Sequence, residues 1–330
     1  MLKARSRSDY RTHLRRNNII RWTALAVIVL VLGTVLVPVV AGWRNQPGNE
    51  RQNLLRLWEE GAYEEIFEIS KTALAGRPLD YFLLTIHGFS AYQIGIAQIN
   101  TFDILTYIDE CIWSLRKALL SKNSALNNRA NNGRVYYVLG KAYYYKGTDF
   151  ADLAVKYLEQ AREASYFARD IPEYLGLAYA AIHDYRSSVA AFTLALDPAN
   201  YENNGDSDIQ EPGGPSDTLF LAIAHSYIAL GDQDLAKAYL QRCIETSRDS
   251  QKVVAARLLL AGILRNEGYF EEAEAQYALI LNESGENAEV HYQLGELYAA
   301  RGDTTRARAE WRRAVRIDPA HKLARQRLGM

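Results

Sequence analysis

The stretch LGKAYYYKG at residues 139–147 returns as LGELYAARG at residues 294–302. Both read Leu-Gly-x-x-Tyr-x-x-x-Gly. A chemical loop used twice would point to an active site, whereas one element of a repeated unit would point to a binding surface. The residues after the second copy decide between the two. Beyond Leu294, Gly295, Tyr298 and Gly302 come Ala307, Trp311, Ala314 and Pro319, so small and large residues alternate at helical spacing on both sides of a glycine turn. The small residues let two helices approach closely, and the large ones fill the space between helices.

The same spacing steps backwards along the chain. A unit from Val254 carries Leu260, Ala261, Leu264, Gly268, Ala273, Tyr277 and Ile280 at the corresponding places. One from Asp217 carries Ile223, Ala224, Tyr227, Gly231, Ala236, Leu240 and Cys243. One from Arg169 has Leu175, Gly176, Tyr179, Phe192 and Ala195, with His183 standing for the turn glycine and Ser188 for the alanine. From Gly133 come Leu139, Gly140, Tyr143 and Gly147, after which a two-residue insertion shifts Ala154, Leu158 and Ala161. Earlier units are weaker. Residues 81–132 keep Gly88, Gly95 and Ala118 but hold about eleven extra residues where the turn and second helix should begin. Residues 47–80 keep Gly61, Ala73 and Pro78.

This pattern resembles the tetratricopeptide repeat, a helix-turn-helix unit of about 34 residues. The resemblance implies an all-α fold, a right-handed α-solenoid of about six to seven such units. Degenerate units would cover 51–132. Clear units would start near residues 133, 169, 217, 254 and 288, run to 321, and end in a basic cap over 322–330. Gly-Asp at 231–232 and 302–303 should stop one helix and start the next.

Ahead of the repeats, Trp22 to Gly42 reads WTALAVIVLVLGTVLVPVVAG, uncharged throughout. A helix of that length reaches roughly 30 Å, the thickness of a hydrocarbon core, and tryptophans at both ends suit the two interfaces. The run is longer than the apolar part of a cleavable signal, so one uncleaved transmembrane helix is expected. Residues 1–21 hold seven bases (Lys3, Arg5, Arg7, Arg11, Arg15, Arg16, Arg21) against Asp9. This bias places the tail in the cytoplasm. It places 43–330, a juxtamembrane linker over 43–50 and then the repeats, on the far side of an inner (cytoplasmic) membrane, in the periplasm of a bacterium. Residues 199–216 read ANYENNGDSDIQEPGGPS and break the array as an acidic loop. Glu202, Asp206, Asp208 and Glu211 do not have EF-hand spacing, so the loop is read as solvated, with no metal site.

The sequence offers no catalytic motif. Phosphate-binding glycine loops and His-Glu-x-x-His are missing, and Ser114-x-x-Lys117 lacks the partner motifs that would make it a nucleophile and base. His87 and His291 fall at packing positions, and Cys111 and Cys243 at small-residue positions, which reads as core. No enzyme activity and no cofactor are expected.

In the tetratricopeptide family the concave face is lined by the first helix of each unit. Carried onto this chain, the resemblance points to Phe82, Phe89 and Tyr92 in one unit and Arg134, Tyr137, Lys141 and Tyr144 in the next. An aromatic groove with two bases suits a protein or peptide partner. A second basic surface lies in the last thirty residues, where Arg308, Arg312, Arg313 and Arg316 belong to nine bases facing three acids. It would dock an acidic partner or the acidic body of another copy, giving self-association; no nucleic-acid partner is expected. The resulting reading is a membrane-anchored scaffold for protein–protein interaction in a cell-envelope complex, such as a flagellar, secretion or cell-wall machine. The alternative is a non-catalytic docking subunit of an envelope enzyme.

Overall fold

The computed structural model describes residues 47–121, 132–197 and 218–330. The basic tail, the predicted span over 22–42 and the acidic loop 199–216 lie outside the described residues. Among the described residues, no helix is long and apolar enough to cross a membrane.

The described residues form fifteen α-helices, a short 3-10 turn and no strand. They are α1 (Pro47–Glu59), α2 (Tyr63–Gly76), α3 (Tyr81–Ile96), α4 (Thr101–Leu120), α5 (Gly133–Lys146), α6 (Ala151–Glu163), α7 (Ile171–Ala181), α8 (Tyr185–Ala195), α9 (Leu219–Leu230), α10 (Gln233–Thr246), α11 (Ser250–Glu267), α12 (Phe270–Ser284), α13 (Ala288–Ala300), α14 (Thr304–Ile317) and α15 (Lys322–Leu328). The chain divides into two compact units at Gly76. The first contains the α1–α2 hairpin, whose turn is flanked by Trp58 and Tyr63 packed edge to face at 5.1 Å. In the second, helices pair in order from α3–α4 to α13–α14, and among the described residues each helix makes its main contacts with helices one or two places away. First helices also touch one another: α3 meets α5, α5 meets α7, α7 meets α9 and α11 meets α13. Among the described residues no comparable contact joins successive second helices, so the first helices line the inner side.

The repeated glycine is a packing residue. A Cβ added at Gly176 would sit 2.4 Å from Cδ1 of Phe192, and one at Gly295 2.3 Å from Nε1 of Trp311. Each glycine of a first helix thus receives the large side chain of its own second helix, the pairing that the spacing implies. Between the helices, Gly231 ends α9 in the left-handed region at φ 82°, and Asp232 then caps α10 by accepting from the N–H of Leu235. Asp184 and Asp303 cap α8 and α14 in the same way.

Where the sequence places His183 in the turn-glycine position, the backbone still takes a left-handed φ of 63°. A Cβ in that region costs about 1–2 kcal/mol, part of which is offset by the 2.8 Å hydrogen bond between His183 Nδ1 and the Tyr185 hydroxyl. His183→Gly is therefore expected to stabilise the α7–α8 hairpin by about 0.5–1 kcal/mol. A melting temperature below that of the unsubstituted protein would contradict this.

Two details differ from the expected register. The extra residues of the second unit do not form a long turn. Only four residues separate α3 from α4, and the surplus lengthens α4 to 20 residues by about two turns at its start. Packing is preserved, because a Cβ on Gly88 would lie 2.7 Å from Leu115 and both Cys111 and Ala118 are fully buried. Likewise α11 begins four residues before Val254, because Asp249 accepts from the N–H groups of Gln251 and Lys252 and starts the helix early.

Cys111 and Cys243 are buried thiols, not a disulfide, and burial pushes the Cys111 thiol up. His87 and His291 are buried too. His87 lies 3.2 Å from Glu110, and His291 lies between Glu310 at 2.6 Å and Glu286 at 2.8 Å. Ser114 is fully buried rather than displayed, with its hydroxyl 3.4 Å from Glu110, and the Lys117 ammonium lies over the Trp113 ring. That separates the pair that matched Ser-x-x-Lys.

Candidate partner-binding site

Three first helices, α3, α5 and α7, come together around one buried cation. Lys141 stands one turn after Tyr137 on α5, so both side chains leave the same face. The Lys141 ammonium donates to Asp170 Oδ2 at 2.6 Å and to the Tyr137 hydroxyl at 3.1 Å. The Tyr137 hydroxyl donates to both oxygens of Asp170, at 2.9 and 2.8 Å. Three rings surround the ammonium: Tyr174 with its centroid at 4.5 Å, Tyr137 at 5.1 Å and Tyr92 at 6.0 Å. Negative ring faces and the Asp170 carboxylate stand in for water that the cation has lost.

Burial, then the Asp170 charge and its hydrogen bond, holds the Tyr137 hydroxyl far above the usual phenol range. It therefore stays a proton donor to Asp170. Burial likewise raises Tyr174, reinforced by neighbouring Tyr92 and Tyr145. Asp170 precedes α7, where an aspartate ordinarily caps the helix, but it makes no side-chain cap there. Its acceptor capacity goes across to α5 instead.

This geometry divides the seven residues expected to line the groove. Tyr92, Tyr137 and Lys141 are each only 3% exposed. They are corrected here from contact residues to the centre that joins successive repeats, because tyrosines as large as these close the space between first helices. Phe82, Phe89, Arg134 and Tyr144 are half-buried and form the accessible rim. The Arg134 guanidinium lies 5.1 Å from the Phe89 centroid, linking α5 to α3. Tyr144 packs edge to face on Tyr174 at 5.2 Å, and exposed Tyr145 shares a 3.2 Å hydroxyl contact with Tyr174. Asp170 and Tyr174 were missed as site residues. Asp170 holds the place in the unit from Arg169 that Arg134 holds in the unit from Gly133, and was passed over as a cap before Pro172. Tyr174 falls between the contact positions.

The arginines of the second basic surface, Arg308, Arg312, Arg313 and Arg316, are all exposed on α14. Among the described residues, no group of three or more His, Cys, Asp or Glu side chains is placed to hold a metal.

The match to known families falls on the C-terminal part of the chain. Residues 216–330 match the tetratricopeptide repeat-like domain. Over most of the chain the likeness is one of structure. The C-terminal part of a TPR repeat-containing protein from Cytophaga hutchinsonii superposes with a TM-score of 0.56 at 14% identity, over 85% of this chain and 100% of that one. The pilF protein of Pseudomonas aeruginosa superposes with a TM-score of 0.50 at 15% identity, over 73% of this chain and 96% of that one. At these identities the likeness is one of fold. No curated protein matches the sequence.

Proposed function

We propose that this chain is a membrane-tethered scaffold that holds a protein or peptide partner along the inner face of α3, α5 and α7. The observation that carries the reading is the rim of Phe82, Phe89, Arg134, Tyr144 and Tyr145 over a core pinned by Lys141 and Asp170. Large rings held by rigid neighbours give contact area for little lost conformational entropy, and such residues dominate interface energetics. An extended or helical segment with apolar anchors is the complementary ligand. The tether belongs to the same proposal: the uncharged run from Trp22 to Gly42 and the basic residues before it support an anchor with the repeats outside the cytoplasm. A scaffolding role in an envelope assembly follows from that placement, with the repeats themselves non-catalytic.

The test is co-purification of the full chain in mild detergent, followed by affinity measurement on alanine variants. Tyr144→Ala or Tyr145→Ala should weaken partner binding by about 2 kcal/mol while changing the melting temperature little. Tyr137→Ala should chiefly destabilise the fold. If the Tyr144 and Tyr145 variants bind as the unsubstituted protein does, the partner sits elsewhere. A reporter fused after Met330 that is active only in the cytoplasm would overturn the proposed topology.

A further inference from the structure

The two termini of the described chain carry opposite and unspent charge. On α14, Arg308, Arg312 and Arg316 follow one another at successive turns and are exposed. Among the described residues none of them has a carboxylate within ion-pair reach, whereas the arginines around them do. Arg306 meets Asp303 at 3.3 Å, Arg301 meets Glu271 at 3.1 Å, Arg327 meets Glu296 at 2.5 Å and Arg313 lies 3.9 Å from Glu286. The complement lies in the N-terminal unit. Residues 59–68 hold five glutamates and no base. Glu60 pairs with Arg56 at 2.6 Å, but Glu59, Glu64, Glu65 and Glu68 are exposed and, among the described residues, have no cation in reach. The acidic run on α12 is partly paired, since Glu271 and Glu274 share Arg301.

We propose that these surfaces meet between copies of this chain, the arginine stripe of α14 in one copy docking on the glutamates of α2 in the next. Glu64 and Glu68 stand one turn apart, as Arg308 and Arg312 do, so both steps rise about 6 Å and two side-by-side helices match charge for charge. The two surfaces differ, so the contact is heterologous. Each copy that uses one surface still offers the other, and the assembly grows until it closes into a ring or runs on as a chain. Exposed ion pairs are screened by salt, so the association is weak, reversible and strongest at low ionic strength. The inference is independent of the groove of α3, α5 and α7.

Charge swapping on the full chain in mild detergent tests it, with mass read by sedimentation velocity. The unsubstituted protein should exceed protomer mass at about 50 mM salt, and its association constant should fall at least about tenfold by about 500 mM. The tail variant R308E/R312E/R316E and the head variant E64R/E65R/E68R should each stay monomeric at low salt. Mixing them should restore association, and so should a single chain carrying all six changes. That recovery cannot come from misfolding, and all substituted side chains are exposed. Association that survives either reversal, or fails to return on mixing, overturns the proposal. So does loss of binding to polyglutamate in the tail variant with self-association intact, which would assign the stripe to a foreign acidic protein.

Discussion

Asp170→Ala should destabilise by about 3–5 kcal/mol, because it takes from the buried Lys141 ammonium the carboxylate that stands 2.6 Å away. The Tyr137 hydroxyl would lose its acceptor at the same time, adding the cost of an unmade buried hydrogen bond. Lys141→Met should cost less. It removes the cation but keeps the aliphatic stem among the rings, and Asp170, at 13% side-chain exposure, can turn to water. The double variant K141M/D170A should be more stable than D170A alone, since the buried cation is then removed together with its carboxylate. Denaturant midpoints of the three variants give the comparison, with amide exchange in α5 and α7 locating the loss. A D170A protein within about 0.5 kcal/mol of the unsubstituted one would mean that the cation is solvated, as in an exposed pair.

One substitution should have opposite signs at two glycines. Alanine is favoured over glycine inside a helix by about 1 kcal/mol. At Gly262 on α11 nothing lies within 4 Å of an added Cβ, so Gly262→Ala should stabilise by about 0.5–1 kcal/mol. At Gly176 the new carbon would stand 2.4 Å from two atoms of the Phe192 ring, which is fully buried and has nowhere to go. Overpacking of about 1–3 kcal/mol then outweighs propensity, and Gly176→Ala should destabilise. Gly176→Leu should cost about 3 kcal/mol or more. Thermal melts of the paired alanine variants decide the matter, and a gain at Gly176 would show that Phe192 does not fill this space.

Those pairings explain why the hairpins were legible. A glycine or alanine facing a large residue of the same hairpin is a relation within one unit, and unit spacing prints it on the sequence. The Gly-Asp turns are equally local. The burial of Tyr92, Tyr137 and Lys141 is of another kind. It depends on how closely one first helix approaches the next, and that is set jointly by side chains from different units. A lysine beside tyrosines then reads as a surface feature until Asp170 is seen to leave its own helix and pair with it. The longer α4 was missed because residues 97–107 contain no glycine or proline, and the start is marked only by Asn100, which caps the helix by accepting from the N–H of Phe102.

That every helix in the larger unit makes its main contacts with near neighbours along the chain also bears on how the protein comes into being. Contacts close in sequence cost little loop entropy, so folding can be fast and can begin at any hairpin. During synthesis a glycine-bearing first helix meets its large partner once the second helix has emerged, long before the C-terminus exists. Under tension the same locality works in reverse. A pull applied to the two ends of the larger unit would peel hairpins away one after another, each yielding its own length, so that the chain extends in steps.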